Sequence, residues 1–290
     1  AIKAGSIGSW LFRNHLKVLF TLPMPVLRQC GLRRLRRRTK PVPGSPSGVE
    51  GKVSASEGVS SAAAAGGILT IGVDAVVANW KSLAARVAPA RTAAVVKADA
   101  YGLGAAPLVR PLYDAGCRDF FVIVLSEAEA LRPLLPPDAT IYVLNGLLPG
   151  TAAAYGNGIL PVLNSIAQCR AWAEAGRGGR PSVIQVDTGM SRLGLDTAEQ
   201  QTLADDPGLL AATDARLIMS HLACADEPGK PASGEQLAAF RAARARLPGL
   251  PGSLAASSGI FLGPDYHFDL TRPGASLYGI ETSPLAEGVK

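Results

Sequence analysis

The sequence is poor in cysteine and in aromatic side chains, and both shortages argue against whole classes of protein. Its four cysteines lie far apart and form no C-x-x-C pair: Cys30, Cys117, Cys169 and Cys224. Since 48% of the residues are hydrophobic and can build a large core, we expect no disulfide framework and no metal site, but free thiols in a reducing compartment such as the cytoplasm. Aromatic residues make up only 6%, whereas glycine, alanine and short apolar runs are frequent, which favours an α/β protein over a β-sandwich.

An excess of positive charge is lacking outside the first 66 residues, although the net charge of the chain is +6. Residues 1–66 contain 11 Lys and Arg residues but only 2 Asp and Glu residues. Residues 67–290 contain 18 Lys and Arg residues and 21 Asp and Glu residues. The predicted folded part is therefore mildly acidic. We expect no nucleic-acid partner for it.

A long apolar run is also missing from the N-terminal 66 residues. Residues 18–27 are apolar over ten positions, but Pro23 and Pro25 interrupt them and the run is too short to span a bilayer. The arginine cluster at residues 33–38 follows this run, whereas a secretory signal carries its positive charges before the apolar part. We interpret residues 1–66 as a disordered basic leader or the product of a misassigned gene start. A transit peptide or membrane-surface segment is the alternative.

From Ile68 onward, short apolar runs typical of buried strands alternate with helical patterns. The predicted strands cover residues 93–96, 120–125, 140–144, 159–163, 182–186, 216–220, 253–255 and 270–272. Nearly continuous apolar strands indicate burial on both faces, as in a parallel sheet. Eight such units favour a closed (β/α)8 TIM-type barrel over residues 67–282, with a doubly wound open sheet as the alternative. Helix starts are predicted at the capping residues Asp74, Ser126 with Glu129, Asn164, Asp196 with Glu199, and Ser233.

Polar residues follow five of the predicted strands at their carboxyl ends, where a barrel of this type carries its active site. These residues are Lys97 after the first strand, Asp187, Met190 and Arg192 after the fifth, His221 after the sixth, Ser258 after the seventh, and Arg272 with Gly274 after the eighth. We expect them to converge at one mouth of the barrel.

Lys97 is the most reactive candidate of this set. A lysine held in an apolar setting loses proton affinity and becomes a usable nucleophile or base. The same position also suits a lysine that extends from a strand end into solvent, and position alone leaves both readings open. The Gly102-Leu103-Gly104 segment resembles the start of a dinucleotide fingerprint, but Pro107 occupies the place of the third glycine.

The segments after the last two strands suit phosphate binding through glycine amides and hydroxyl groups. They are Ser257-Ser258-Gly259 and Arg272-Pro273-Gly274-Ala275. Ordinary turn chemistry is the alternative for both. His221 alone suits either a site residue or a hydrogen-bonded structural one.

These segments together resemble a known family. The run Val95-Val96-Lys97-Ala98-Asp99-Ala100-Tyr101-Gly102 resembles the pyridoxal-phosphate attachment motif of the alanine racemases, which are fold-type III enzymes. Residues 186–194 resemble their second signature, and residues 220–223 with Asp226, 256–258 and 272–279 follow in the family's order. The resemblance runs from about Ile68 to Ile280. It implies a pyridoxal-5′-phosphate-dependent racemase acting on alanine, an isomerase that supplies D-alanine as a peptidoglycan precursor in the cytoplasm, and a homodimer for a full-length member.

The resemblance also assigns roles to individual residues. It implies that Lys97 forms the internal aldimine and serves as the base on the face that handles the D-enantiomer. Arg192 would bind the cofactor's phenolic oxygen and help to position the substrate, and His221 would lie beside the pyridine ring and pair with Arg272. The groups implied to hold the phosphate are Tyr101, Ser258 and the backbone at Gly274 and Ala275.

Arg272 would face the pyridine nitrogen in this scheme. Because a guanidinium group keeps its proton near neutral pH, the ring nitrogen would stay unprotonated and the cofactor would be a weaker electron sink. Return of a proton to Cα would then be favoured over transamination.

Two departures from the family pattern stand out. Gln185 occupies the position where members often carry a carbamylated lysine, so the amide oxygen of Gln185 or a bound anion would orient Arg192 instead. The family's C-terminal β-domain, which supplies a catalytic tyrosine to the partner's site, has no counterpart before the sequence ends at Lys290. We interpret residues 283–290 as the start of a truncated C-terminal segment, and the second base has no candidate here.

Three hypotheses follow. The first is an alanine racemase represented by an incomplete chain, which binds pyridoxal phosphate but racemises alanine poorly because efficient racemisation needs two opposed bases. The second is a non-catalytic pyridoxal-phosphate-binding barrel. The third, resting on residues 1–40 alone, is a leader-directed membrane or anionic-surface protein.

Overall fold

A computed structural model describes residues 69–176 and 180–286, all of which lie in one compact unit, Ala65–Lys290. The leader predicted for residues 1–66 lies outside the described residues, as do residues 287–290 of the predicted C-terminal segment. The predicted domain boundaries therefore stay predictions. No helix in the described ranges is both long and apolar enough to cross a membrane.

Short parallel strands alternate with helices along the described chain. The strands are β1 (Arg91–Thr92), β2 (Ala94–Val95), β3 (Asp119–Val122), β4 (Thr140–Val143), β5 (Ile159–Leu163), β6 (Ser182–Gln185), β7 (Ala215–Met219), β8 (Gly252–Ser253) and β9 (Leu270–Thr271). The α-helices are α1 (Val73–Val87), α2 (Ala106–Asp114), α3 (Leu125–Leu131), α4 (Ile166–Ala175), α5 (Thr197–Ala204), α6 (Pro207–Ala212), α7 (Ala232–Arg246) and α8 (Ser257–Ile260). Short 3-10 turns cover Arg132–Leu134, Ala152–Ala154, Pro264–Tyr266 and Ala275–Tyr278, and a separate helical turn covers Lys97–Gly102.

The strands close into a barrel. Strands β2 to β8 form one parallel sheet in chain order, and β1 pairs in parallel with β9. Only Ala93 separates β1 from β2, and its N–H donates to the carbonyl of Thr271 at 2.9 Å, so β1 and β2 act as one barrel strand with β9 on one side and β3 on the other. Between β8 and β9, the Arg272 N–H donates to the Ala255 carbonyl at 2.9 Å. The predicted eight-stranded parallel barrel is thus confirmed, and the open-sheet alternative is wrong.

Two hydrophobic layers result from the alternation of side chains along each strand. In β2 and the residue after it, Val95 points into the barrel and Val96 points out towards the helices. The inner layer is Ala93, Val95, Phe121, Tyr142, Leu160, Val162, Val183, Leu217, Met219 and Leu270. Strands β3, β5 and β6 are buried at every position, which is the burial on both faces that parallel barrels require.

The amino end of the barrel is closed by a small polar cluster. Asp119, the first residue of β3, is buried and accepts hydrogen bonds from the Tyr142 hydroxyl and from Arg91, both at 2.7 Å. The Tyr142 ring stacks on Phe121 with 4.4 Å between centroids. A carboxylate with two donors satisfies its hydrogen-bonding needs inside the barrel. The amino end is therefore filled, and the carboxyl end is left to form a cavity.

The predicted strands match the observed ones to within a residue or two at most ends, and 159–163 is reproduced. Of the predicted helix caps, the Asp196–Glu199 capping box is confirmed. The Asn164 cap is wrong by one residue, because Ser165 accepts the Gln168 N–H. Asp74 lies inside the first turn of α1, whose N-cap is Gly72.

Two cap predictions are wrong for identifiable reasons. Helix α7 begins at Ala232, because Pro231 already has a helical φ of −64°, so Ser233 lies within the first turn. Helix α3 begins at Leu125 without a side-chain cap, so Ser126 and Glu129 form no capping box. The neighbouring Glu127 points instead to the backbone of two strand ends.

Candidate functional site

A cavity of ≈ 410 Å³ opens at the carboxyl end of the barrel strands. It is lined by all eight residues to which the family resemblance assigns a role with cofactor or substrate: Lys97, Tyr101, Arg192, His221, Ser258, Arg272, Gly274 and Ala275. Asp187 and Met190, which were also expected at this mouth, do not line the cavity. The structure therefore brings together residues that span nearly 180 positions of the chain. The role that each has there stays a prediction.

Lys97 opens a turn of left-handed helix, which is rare for residues other than glycine. The four residues from Ala98 to Tyr101 have φ between 52° and 59° and ψ between 30° and 53°. At about 1–2 kcal/mol per residue, such a turn costs roughly 4–8 kcal/mol and persists only where its surroundings hold it. Here the fully buried Ala100 donates to the Val96 carbonyl at 2.8 Å, and the Asp99 carboxylate accepts the Ala105 N–H at 2.7 Å.

The left-handed turn places Lys97 and Tyr101 on the same wall of the cavity. The Lys97 Nζ atom lies 5.9 Å from the centre of the Tyr101 ring. Burial lowers the pKa of Lys97, the positive charge of Arg192 lowers it further, and the carboxylate of Glu127 raises it in part. A larger fraction of this amine is thus unprotonated at neutral pH than in an exposed lysine.

Tyr101 is held between Tyr278 and Gly274. The two tyrosine rings lie 5.2 Å apart, and the Tyr278 hydroxyl donates to the Val95 carbonyl at 2.9 Å. A Cβ atom at residue 274 would overlap the Tyr101 hydroxyl oxygen, so only glycine allows this approach. Burial raises the pKa of Tyr101 to about 12, which keeps the phenol protonated as a hydrogen-bond donor.

Two adjacent serines hold the segments around the last strand. The Ser257 hydroxyl accepts the N–H groups of Gly274 at 2.9 Å and Ser276 at 3.2 Å. The Ser258 hydroxyl donates to the Thr282 carbonyl at 2.9 Å. Ser258 thus lines the cavity as predicted, while Ser257, which belonged to the same predicted phosphate-binding segment but had no role of its own assigned, fixes the Gly274 backbone.

Arg192 lies on a loop that Asp187 organises. One Asp187 carboxylate oxygen accepts the N–H groups of Gly189, Met190 and Ser191 at 2.9–3.1 Å. The Gln185 side chain donates through its amide nitrogen to the Leu193 carbonyl at 3.2 Å, and orientation of Arg192 by its amide oxygen or by a bound anion stays a prediction. Gln185 thus fixes the loop backbone next to Arg192, and the Arg192 side chain is exposed at the cavity.

Arg272 is buried at the floor of the cavity and keeps its positive charge. Its guanidinium donates to the Ser253 hydroxyl and to the Ser220 carbonyl, and lies 5.9 Å from the centre of the Phe121 ring. Burial lowers the pKa of Arg272 to about 9, which still leaves the group protonated at neutral pH.

His221 is neutral beside these cations. Burial lowers its pKa to about 3, and the charges of Arg272, Arg192 and Lys97 add to the effect. The charge of Arg272 disfavours a charged imidazole at His221, and the pairing of the two side chains stays a prediction.

One glutamine joins the loops that carry Arg192 and His221. The buried Gln236 of α7 donates to the His221 carbonyl at 3.0 Å and to the Thr188 hydroxyl at 3.4 Å, and it accepts the Ala223 N–H at 2.8 Å. No sequence pattern singled out Gln236, because a lone glutamine on a helix carries no local signal. Ser257 lies next to Ser258 in the predicted phosphate-binding segment, which is the signal that could have identified it. Glu127 lies between Ser126 and Glu129, which were interpreted as a capping box.

Within residues 69–176 and 180–286, no group of three or more His, Cys, Asp or Glu side chains is arranged to hold a metal ion. The cavity instead combines an amine of lowered pKa, a neutral phenol and imidazole, and two guanidinium groups. Such a set suits an anionic organic ligand with a carbonyl group, because the amine can attack the carbonyl and the other groups can bind its anionic part.

Comparisons with known proteins agree on one family. Residues 71–282 match the family model described as "Alanine racemase, N-terminal domain". The chain is 57% identical over 222 residues to an alanine racemase of Brucella ovis, covering 75% of this chain and 56% of that protein. It is 51% identical over 229 residues to a catabolic alanine racemase of Mesorhizobium japonicum, covering 77% of this chain and 60% of that protein. The chain thus spans little more than half the length of these relatives.

A solved structure shows the same fold. The alanine racemase of Bartonella henselae, with covalently bound pyridoxal phosphate, superimposes with a TM-score of 0.71 and 44% sequence identity. The superposition covers 73% of this chain and 60% of that one.

Proposed function

Because this chain belongs to the alanine racemase family, whose N-terminal domain it carries, we propose that it forms the pyridoxal-phosphate-binding barrel of a racemase that interconverts L-alanine and D-alanine. One observation supports this above the others. Lys97, Arg192, His221 and Arg272 come from four separate strand ends and line one cavity, in which the pKa of Lys97 is lowered, His221 is neutral and Arg272 is cationic.

The residues of the cavity fit the cofactor. The absence of a Cβ at Gly274 leaves room for the Tyr101 hydroxyl, and Ser258 lines the same cavity. We propose that Tyr101, Ser258 and the backbone of Gly274 and Ala275 bind the phosphate, and that Lys97 attaches the cofactor covalently. Arg192 would bind the phenolic oxygen and the substrate carboxylate, since guanidinium groups bind such oxygens well.

Pyridoxal phosphate, when bound, withdraws electrons from an amino acid and makes its Cα–H bond acidic. The work of the protein is to move the proton and to limit this withdrawal. Lys97 holds or releases a proton on one face of Cα, which its lowered pKa permits near neutral pH. Arg272, cationic and held by Ser253 and Ser220, provides no readily released proton at the floor of the cavity. The neutral His221 fills the space beside it.

Efficient racemisation needs a second base on the opposite face of Cα. Tyr101, the tyrosine that lines the described cavity, is assigned to the phosphate in this proposal. We therefore propose that this chain alone binds pyridoxal phosphate but racemises alanine weakly, and that the full-length protein completes its site as a homodimer. We further place the reaction in the cytoplasm, where free Cys117 and Cys169 stay reduced, and its product among peptidoglycan precursors.

Trapping the cofactor tests the proposal. The purified chain is mixed with pyridoxal phosphate, reduced with borohydride and digested, and the modified lysine is located by mass spectrometry. We expect the adduct on Lys97 and its loss in Lys97→Ala. Lys81→Ala, which removes an exposed lysine from α1, is the matched control and should leave the adduct unchanged. An adduct that survives in Lys97→Ala would refute the assignment.

A further inference from the structure

Glu127, on helix α3, connects two neighbouring strand ends at the mouth of the barrel. One of its carboxylate oxygens accepts the Ala98 N–H at 2.7 Å, and the other accepts the Ile123 N–H at 2.8 Å. Ala98 directly follows Lys97, and Ile123 directly follows β3. Hydrogen bonds from backbone N–H groups to an ionised carboxylate are stronger than those between neutral partners. A single side chain thus fixes the backbone beside Lys97 to the next strand of the barrel.

The hydrogen bond from the Ala98 N–H to Glu127 lies at the start of the left-handed turn. Ala98 is the first of the four residues with left-handed φ and ψ, so its N–H marks the point where the chain departs from ordinary geometry. The left-handed turn is what brings Lys97 and Tyr101 onto one wall of the cavity. The internal bonds of the turn, such as Ala100 N–H to the Val96 carbonyl, begin two residues later. Glu127 therefore holds the part of the turn closest to Lys97.

The charge of Glu127 matters as well. The groups that face Lys97 come from four elements: Tyr101 on its own turn, Arg192 on the loop after β6, His221 after β7, and Glu127 on α3. His221 is neutral, and Arg192 is cationic and opposes protonation of Lys97. The carboxylate of Glu127 favours protonation of Lys97, so it offsets part of the lowering of the Lys97 pKa by burial and by Arg192.

We propose that Glu127 is a positioning residue for Lys97: its carboxylate anchors the left-handed turn that presents the amine to the cavity and places a negative charge near that amine. This inference rests on the proposed function, in which Lys97 carries the cofactor and moves a proton at Cα. The bridge to two amides and the charge are separable properties, so substitutions can test them separately.

The test compares Glu127→Gln, Glu127→Asp and the control Glu129→Gln in the full chain. Glu129 lies on the same helix but is exposed. Two readouts are used: the rate of borohydride-trapped attachment of pyridoxal phosphate to Lys97 as a function of pH, and hydrogen exchange in the peptide 97–104 without cofactor.

Glu127→Gln has one oxygen that can accept and no charge. We expect exchange in the peptide to become at least severalfold faster, and the pH midpoint of attachment to fall by roughly half a pH unit. Glu127→Asp keeps the charge but is too short to reach both amides, so exchange should rise while the midpoint stays near that of the unsubstituted chain. Glu129→Gln should change neither readout.

Unchanged exchange and an unchanged midpoint in Glu127→Gln would overturn the proposal. A uniform loss of rate at every pH without a midpoint shift would also overturn it, because that is the effect of a purely structural residue. If Glu127→Gln does not fold, exchange in Glu127→Asp equal to that of the unsubstituted chain is the refuting result. If the unsubstituted chain forms no adduct, the proposed function fails, and hydrogen exchange still tests the anchoring of the turn.

Discussion

Gly274→Ala gives the sharpest test of how the cavity is built. The backbone at Gly274 has φ −127° and ψ −80°, so a negative φ is already in place and available space decides the outcome. A Cβ atom there would overlap the Tyr101 hydroxyl oxygen and lie 3.0 Å from the ring carbon that bears it. The Tyr101 ring packs against Tyr278 at 5.2 Å, so the ring can move only into the cavity that it lines. The substitution must therefore displace the Tyr101 hydroxyl.

The expected loss follows from the proposed role of that hydroxyl. A hydrogen bond to a charged group contributes about 1.5–3 kcal/mol, and about 1.4 kcal/mol corresponds to a tenfold change in affinity. If Tyr101 binds the phosphate, Gly274→Ala weakens pyridoxal-phosphate binding by roughly 10- to 100-fold. Tyr101→Phe should cause a loss of similar size. The double variant should lose less than the two single losses added together, because both remove the same contact.

Affinity is measured by equilibrium dialysis of pyridoxal phosphate against each purified variant. Gly229→Ala is the matched control, since a Cβ there meets no atom within 4 Å. We expect it to bind the cofactor as the unsubstituted chain does. Binding by Gly274→Ala within twofold of the unsubstituted chain would refute the reasoning.

Two further predictions concern stability. Gln236→Ala removes the buried amide that joins the loops of Thr188 and His221, so it should lower the free energy of unfolding, measured in urea, by about 1–3 kcal/mol. The control Gln201→Ala, at an exposed position, should have little effect. Equal effects of the two substitutions would contradict the view that Gln236 stabilises these loops. His221 has a folded-state pKa of about 3 against an unfolded value near 6.5, so the unfolded chain takes up the extra proton and stability falls as the pH drops below about 6.5. At pH 5 this proton uptake lowers the free energy of unfolding by about 2 kcal/mol. Urea unfolding at pH 7.5 and at pH 5 measures this loss, and His221→Asn should abolish it. An identical pH dependence in His221→Asn and in the unsubstituted chain would contradict a buried neutral imidazole.

The barrel could be predicted because its strands carry a local signal. Residues 159–163 are apolar at every position, and residues 182–186 are all buried although Ser182 and Gln185 are polar, as burial on both faces of a parallel strand leads one to expect. The helix starts were less predictable. A serine three residues before a glutamate predicts a capping box at Ser126, but the helix begins at Leu125, so Ser126 lies inside its first turn. The exact start of this helix is not visible in the local sequence.

The same contrast holds for the site. Lys97, His221 and Arg272 could be predicted because each follows a strand, and the barrel brings strand ends to one mouth. The left-handed turn after Lys97 could not, because alanine and aspartate rarely adopt that geometry and only the surrounding contacts impose it. Gln236 was missed for a similar reason, since its three partners lie on loops 13 to 48 residues away.

The central claim is that Lys97 moves a proton at Cα of alanine on one face. The chain loaded with pyridoxal phosphate is incubated with D-alanine or L-alanine in deuterated water, and deuterium at Cα is followed by NMR. We predict that D-alanine gains deuterium, that L-alanine gains it more slowly because the proposed assignments leave no second base in the described cavity, and that Lys97→Ala abolishes both. Binding of pyridoxal phosphate with no Lys97-dependent exchange would contradict the account and favour a non-catalytic binding barrel.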